Sequence, residues 1–411
     1  MYFPFTNSDI TTRFCIICFF IVIVVIANTS SSITVPSSFA TNGHKISGEN
    51  IDADANAILV WNNFITQLGI KEKLSPPEFS RVYALVHISM YDSLLVAEGN
   101  NKEDNIILDK PFYVPSMAEA ASSVLIYLFP NYTDEITKLK YTQISQFQGY
   151  DNNLLIEKGL LVGYEVAQTV IDYAKKDNSD LVGDKTTIPK RDNCIWYGND
   201  PVNPMAGFWK TYILKSGSEI QPEKPATCGS ETDLLDIKQT YEVWKHRTPQ
   251  QVAAIHYWGD KPPPAIWNII LNQQIQKYNM SIFDAAYSSV YLNVGMYDAL
   301  VSCWYTKYTY WTARPFQRIA NITTEIPTPN FPSYTSGHSV ISKVAGRVLG
   351  EIFPNESDYF NNQAIEAGFS RLWAGIHFKQ DIIKGMDQGS KIAKKVIEDM
   401  HKTPYPFIYN F

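Results

Sequence analysis

No run of lysine and arginine interrupts this sequence, and beyond its first thirty residues no apolar stretch is long enough to cross a bilayer. With a formal net charge of −6, the first absence excludes nucleic acid as the main partner. The second argues against a multi-spanning membrane protein. Cysteine is scarce as well: there are five in 411 residues, and two of them, Cys15 and Cys18, fall near the N-terminus. Cys194 and Cys228 face each other across a polar, proline-rich stretch, where they either pair or stay free. Cys303, beside an aromatic cluster, reads as a core thiol rather than a nucleophile.

The one long apolar run is FCIICFFIVIVVIA, residues 14–27, preceded by Arg13 and followed by small residues. As a helix it would span roughly 21 Å, short of the roughly 30 Å hydrocarbon core. It therefore reads as the core of a signal peptide over residues 1–29, with Asp9 an atypical residue that leaves an uncleaved anchor as the alternative. A polar leader follows over residues 30–54. Export is the expectation, with no stable membrane insertion once the signal is removed. Four sequons beyond the signal, at Asn131, Asn279, Asn321 and Asn355, make a glycoprotein the matching expectation.

From residue 55 onward, apolar residues recur at helical spacing, as in RVYALVHISMYDSLLVAE, and aromatic residues reach 13% of the chain. Gly, Pro and Asn break the pattern over residues 181–233, an irregular connection between two helical stretches. Those stretches echo each other. VYALVHISMYDSLLVA resembles VYLNVGMYDALVSCW, AEAASSVLIYLFPNYTDEI resembles ISKVAGRVLGEIFPNESDYF, and GYEVAQTVIDYAK resembles GSKIAKKVIEDM, in the same order. The expected fold is all-α: two packed bundles, residues 55–180 and 234–411, related by an internal repeat. The first copy lacks the charged and histidine residues of the second, so the chemistry belongs in the C-terminal bundle.

Three short segments there concentrate complementary groups. KYTYWTARP holds Lys307 and Arg314, seven residues apart, which on a continuous helix would share a face. FPSYTSGHS places Ser336, Gly337 and His338 at the start of a helical run. SRLWAGIHFKQD gathers Arg371, His377 and Asp381. Two guanidinium groups and an ammonium suit an anion with several terminal oxygens. A Ser-Gly helix start adds a hydroxyl and backbone N–H groups at the positive end of the dipole. Asp381 can hold the Nδ1 proton of His377 and direct Nε2 inward. His338 is then available for acid–base work. Singly, each of these motifs is also what a solvated helix face or a surface ion pair looks like; their conjunction points to an oxyanion site, for phosphate or its analogue vanadate.

The pattern Lys307-x6-Arg314-Pro315, then Pro332…Ser336-Gly337-His338, then Ser370-Arg371-x5-His377-x3-Asp381 resembles the signature shared by vanadium-dependent haloperoxidases and type 2 phosphatidic-acid phosphatases. One departure is Thr335, where the family usually has proline before Ser-Gly-His. The resemblance implies vanadate as cofactor, with His377 as its ligand through Nε2. Lys307, Arg314 and Arg371 would bind its oxygens, Ser336 and Gly337 would donate hydrogen bonds, His338 would be the acid–base group, and Asp381 would orient His377. Hydrogen peroxide, polarised by Lys307, would then oxidise a halide to hypohalous acid that halogenates small organic acceptors. Homo-oligomer formation is left open.

Peroxidase and phosphatase share this cradle, and three features lean to the peroxidase. The mature chain lacks spans, whereas the lipid phosphatases are typically multi-spanning. Trp304 and Phe331 match positions that line the halide pocket in chloroperoxidase-like members, and Asp298 matches that subgroup too. Phe331 where a histidine could stand leans toward chloride competence. The alternative is a secreted acid phosphatase of the same superfamily working through a phosphohistidine at His377. A non-catalytic helical protein with a relic site is disfavoured, because unused buried charges are costly.

Overall fold

Why the chain winds into helices shows most clearly in two 29-residue elements, α2 (Pro76–Asp104) and α9 (Ile282–Tyr310). In the computed structural model, which describes residues 55–104, 110–149, 152–183, 189–190 and 192–408, every residue from Val82 to Leu94 and from Ser288 to Trp304 is buried. The expected signal peptide and leader lie outside the described residues. A helix apolar on all sides belongs in the middle of a bundle, and both are there. Helix α2 packs against α3 (Lys110–Leu128) and α5 (Asn153–Ala174), and α9 against α11 (Gly337–Ile352) and α13 (Lys379–Met400). The two long helices also pack on each other, with the Tyr91 and Tyr287 rings 6.3 Å apart, so one apolar core runs through both halves.

Small residues set the closest crossings. A Cβ on Gly163 of α5 would strike the carbonyl of Ser116 in α3, and one on Gly389 of α13 would lie 2.5 Å from the carbonyl of Val340 in α11. Four residues earlier, Gly159 and Gly385 meet the same partner helices. Only glycine lets the backbones approach this far. The Met-Tyr-Asp motif behaves alike in both halves. Asp92 accepts the N–H groups of Phe407 and Ile408 at 2.8 and 3.0 Å, and Asp298 accepts those of Tyr212, Ile213 and Leu214 at 3.0, 2.8 and 2.8 Å. Each buried carboxylate thus fastens a segment that has no helix of its own. Burial pushes the Asp298 carboxyl up to about 6, and the three N–H donors work against that rise.

Among the described residues there are thirteen α-helices and no strand, only an isolated bridge between Ile195 and Thr312. The remaining helices are α1 (Ala55–Lys71), α4 (Thr133–Ile144), α6 (Glu231–Lys245), α7 (Pro249–Gly259), α8 (Pro263–Lys277), α10 (Pro315–Arg318) and α12 (Ser357–Trp373). Sequence periodicity did not single out α4; α7, inside the stretch of helical spacing, starts on a capping box of Thr248 with Gln251 and a proline at its first turn. The irregular connection is shorter than expected, because α6 begins at Glu231 on the N-cap Ser230. Cys194 and Cys228 form a disulfide, and Cys303 is a buried free thiol. The asparagines of all four sequons are exposed. No helix among the described residues is long and apolar enough to cross a membrane.

Candidate active site

The three charged segments meet at the N-terminal ends of α11 and α13. Helix α9 delivers Lys307 in its last turn and then stops at Trp311, whose left-handed φ of 50° ends the helix. Arg314 therefore does not lie on the helix face that the seven-residue spacing predicts. It sits beyond the break in extended backbone, and returns to the same place because Ala313 N bonds Cys194 O at 2.9 Å and Ser333 N bonds Thr312 O at 3.0 Å. His377 and Asp381 likewise do not share one helix. Helix α12 ends after Arg371, Gly375 turns the chain at φ 74°, His377 follows in the turn, and Asp381 is in the first turn of α13. A left-handed glycine after a helix is a common stop; here it separates three site residues onto three elements.

The cationic groups are buried: Lys307 and Arg314 are 0% exposed and Arg371 is 1% exposed. Lys307 Nζ donates to the carbonyls of Pro332, Ser333 and Thr335 at 3.0, 2.8 and 2.5 Å. An ammonium has three donors, so all three are taken, and the group meets an anion only by exchanging one carbonyl. The guanidinium groups keep spare donors. Arg314 bonds Phe331 O and Ile376 O, each at 2.8 Å, and Arg371 bonds Ser370 Oγ at 2.9 Å and Ile255 O at 2.7 Å. Burial pulls Lys307 down to about 8 and both arginines down to about 9, so all three remain charged at neutral pH.

His377 presents its two nitrogens to opposite partners. Nδ1 lies 3.1 Å from Asp381 Oδ2 and 3.2 Å from Ser333 Oγ, while Nε2 lies 3.4 Å from Arg314 Nη1. A cation beside Nε2 and a carboxylate beside Nδ1 select the tautomer with its proton on Nδ1. Burial, then Arg314, Lys307 and Arg371, hold this imidazole well below its usual value, so it is neutral. Asp381 Oδ2 also accepts Ser333 Oγ at 2.5 Å and Phe378 N at 3.0 Å, and burial is what raises its carboxyl. His338, in the first turn of α11, has Nε2 2.8 Å from Trp258 O, and burial with nearby Arg371 keeps it neutral too. Ser336 is the N-cap of α11, and its N bonds Asp381 O at 3.1 Å, tying the starts of α11 and α13 together. The Gly337 and His338 N–H groups open α11, where no helical carbonyl can reach them. A Cβ on Gly337 would meet only Trp304, at 3.6 Å.

Trp304 and Phe331 pack with ring centroids 4.9 Å apart, and Phe331 lies under both Lys307 Nζ (5.2 Å) and the Arg314 guanidinium (4.9 Å). The structure thus gathers Lys307, Arg314, Ser336, Gly337, His338, Arg371, His377, Asp381, Trp304 and Phe331 around one place. Asp298 is not among them; it works higher on α9 as the loop anchor described above. Sequence inspection missed Ser333 and the carbonyls of Trp258 and Ile255. The first carries no motif of its own, and the other two are backbone groups that any residue type would supply.

The charge balance says what fits. Three buried cations face one buried carboxylate, Asp381, and burying unpaired charge is unfavourable. An oxyanion of charge two or three, taking the spare arginine donors and the α11 N–H groups, supplies what is missing. Vanadate matches that donor set, with His377 Nε2, which faces Arg314 Nη1, as the nitrogen turned toward it.

Residues 353–404 match the family described as the VCPO second helical-bundle domain. No curated protein matches the sequence significantly. Among solved structures, the first bacterial vanadium-dependent iodoperoxidase superposes with a TM-score of 0.72 at 23% identity, covering 86% of this chain and 98% of that one. A holo-type bacterial vanadium-dependent chloroperoxidase superposes at 0.66 and 12% identity, covering 80% and 93%. The chain is built on the all-helical fold seen in bacterial vanadium-dependent haloperoxidases.

Proposed function

We propose that this protein is a vanadium-dependent haloperoxidase that uses hydrogen peroxide to oxidise halide to hypohalous acid, with water as the other product. The observation that carries this reading is the pairing of His377, Nδ1 on Asp381 and Nε2 facing Arg314, with three buried cations lacking matching anions. Vanadate held there supplies Lewis-acid activation of peroxide without changing oxidation state. Arg314, Arg371 and the start of α11 bind its oxygens, and Asp381 and Ser333 keep the His377 lone pair aimed inward. His338 donates Nε2–H to Trp258 O, which leaves Nδ1 to take the proton of incoming peroxide. The Trp304–Phe331 wall offers a halide a weakly hydrating surface beside the cations. Phe331 supports chloride among the halides, and bromide and iodide are easier to oxidise.

The same His377–Asp381 pair suits nucleophilic attack on a phosphate ester, which keeps a secreted acid phosphatase as the second reading. Export belongs to both: a disulfide is at home in oxidising compartments, and the exposed sequon asparagines suit glycosylation. Intact-mass analysis of protein from a eukaryotic secretory host tests the loss of residues 1–29 and the glycans.

Function is tested by bromination of a phenolic dye by purified, phosphate-free protein with hydrogen peroxide and bromide, before and after orthovanadate. Activity that appears only with vanadate is the expected result, and chloride in place of bromide gives the halide range. Absence of halogenation together with vanadate-inhibited hydrolysis of an aryl phosphate overturns the peroxidase reading in favour of the phosphatase.

A further inference from the structure

Behind the site lies a polar cluster that the proposed chemistry does not use. Gln388 of α13 is fully buried, as are Ser302 and Thr306 of α9 and Thr335. Gln388 Oε1 accepts the Thr335 hydroxyl at 2.7 Å. Its Nε2, with two N–H donors, has three acceptors in reach: Ser302 Oγ at 3.0 Å, Thr306 Oγ1 at 3.1 Å and Ile220 O at 3.3 Å. Ser302 Oγ donates to Ile220 O at 2.8 Å, and Thr306 Oγ1 lies 3.1 Å from Gln221 Oε1. Both ends of the amide are therefore engaged, which is what makes a buried glutamine tolerable.

The position of this amide matters more than its satisfaction. Thr306 immediately precedes Lys307, and Thr335 supplies the shortest of the three carbonyl bonds to Lys307 Nζ, at 2.5 Å. One side chain thus fixes the helix from which Lys307 rises and the acceptor on which its ammonium rests. Thr335 stands where the resembling family usually has proline. A proline restrains its own backbone through its ring, whereas Thr335 is restrained from outside through its hydroxyl.

We propose that Gln388 is a positioning residue: through the Thr335 hydroxyl it sets where the Lys307 ammonium lies, and so how tightly the site binds an oxyanion. The inference rests on the oxyanion-site reading, but not on which reaction follows. Gln388→Met and Thr335→Val remove the bond with little change in volume. Calorimetric titration with inorganic phosphate and with orthovanadate is expected to show each variant about 10-fold weaker, the usual scale for a lost outer-shell partner. The double variant should be no weaker than either single one, because both delete the same bond. Thr335→Pro in the Gln388→Met background should restore much of the affinity. Melting temperatures are recorded in parallel.

Affinities that stay at the wild-type level while melting temperatures fall make Gln388 a packing residue and overturn the proposal. Losses that add in the double variant overturn the route through Thr335. Should Gln388→Met fail to fold, Thr335→Val alone carries the test, and unchanged affinity there is decisive against it. Wild-type protein that binds neither anion sinks the oxyanion site, and this inference with it; wild-type binding with unaltered variants sinks the inference alone.

Discussion

The Ser333 hydroxyl lies 2.5 Å from Asp381 Oδ2, and the same oxygen is 3.2 Å from His377 Nδ1. Hydroxyl, carboxylate and imidazole form a closed triangle. The serine proton goes to Asp381, and the His377 Nδ1 proton is shared between the carboxylate and the serine oxygen. The orientation of His377 therefore depends on two residues, although only Asp381 sits at a suggestive sequence spacing.

Ser333→Ala tests this directly. The alanine removes the hydroxyl that lies against both Asp381 Oδ2 and His377 Nδ1, so the ring loses one of the two partners that fix its orientation. Oxyanion affinity is expected to fall on the order of 10-fold, with Ser333→Thr close to wild type. Phosphate and orthovanadate titrations read the change; equal affinities for wild type and alanine variant would show that Asp381 holds the ring unaided.

Gly259, the last residue of α7, lies against the Arg371 guanidinium. A Cβ added there would be 3.3 Å from Arg371 Nη1, 3.5 Å from Nη2 and 3.3 Å from Ile326 Cδ1. All three atoms are the far ends of flexible side chains, so the fold can yield at a stability cost of about 1 kcal/mol or less. What yields is a proposed anion-binding group. Gly259→Ala is thus expected to weaken oxyanion binding several-fold while the urea midpoint barely moves. Loss of stability without loss of affinity would place Gly259 in packing alone.

The helices and the three charged segments were legible because their signals are local. Buried α2 and α9 show as dense apolar sequence, and Ser336-Gly337-His338 shows as a helix start. What stayed hidden depends on tertiary contact. Nothing in KYTYWTARP announces that Trp311 adopts a left-handed conformation and that Arg314 leaves the helix. That path is set by the strand-like contact with residues 194–196, which lie more than a hundred positions upstream. Ser333 is a serine like many others until the fold places it beside Asp381. The carbonyls that hold Lys307, Arg371 and His338 have no residue type to read.

The Cys194–Cys228 disulfide reaches the site through that same contact. Cys194 O accepts Ala313 N at 2.9 Å, one residue before Arg314, and Cys228 precedes α6, whose Asp233 pairs with Arg318 at 2.6 Å. Closing a loop over a sequence separation of 34 stabilises the chain by about 4 kcal/mol in the chain-entropy model. Replacing both cysteines with serine should lower the unfolding free energy by about that amount. It should also weaken anion binding, since one flank of Arg314 loses its anchor. Denaturant melts and titrations on the same samples separate the two effects; unchanged affinity would mean that the bridge Ile195–Thr312 suffices by itself.

His87 stores acid sensitivity far from the site. It is 1% exposed in α2, stacked on Tyr83 with an interplanar angle of 8°, and among the described residues neither ring nitrogen has a hydrogen-bond partner. Burial alone lowers it from its ordinary value of 6.5 to about 3. The native state thus binds fewer protons here than the unfolded chain does. Its contribution is present above about pH 6.5 and is lost progressively as pH falls through 6.5 toward 3. Between pH 7 and pH 5 the loss is about 2 kcal/mol from this one residue. His87→Phe keeps a ring against Tyr83 and removes the titration. Its urea-unfolding free energy should therefore drop by about 2 kcal/mol less than wild type over that interval, whatever the substitution does at pH 7. His338 and His377, held neutral in the same sense, act equally in both proteins and cancel in the comparison. Parallel pH profiles for the two would mean that His87 is protonated, or solvated, in the native state.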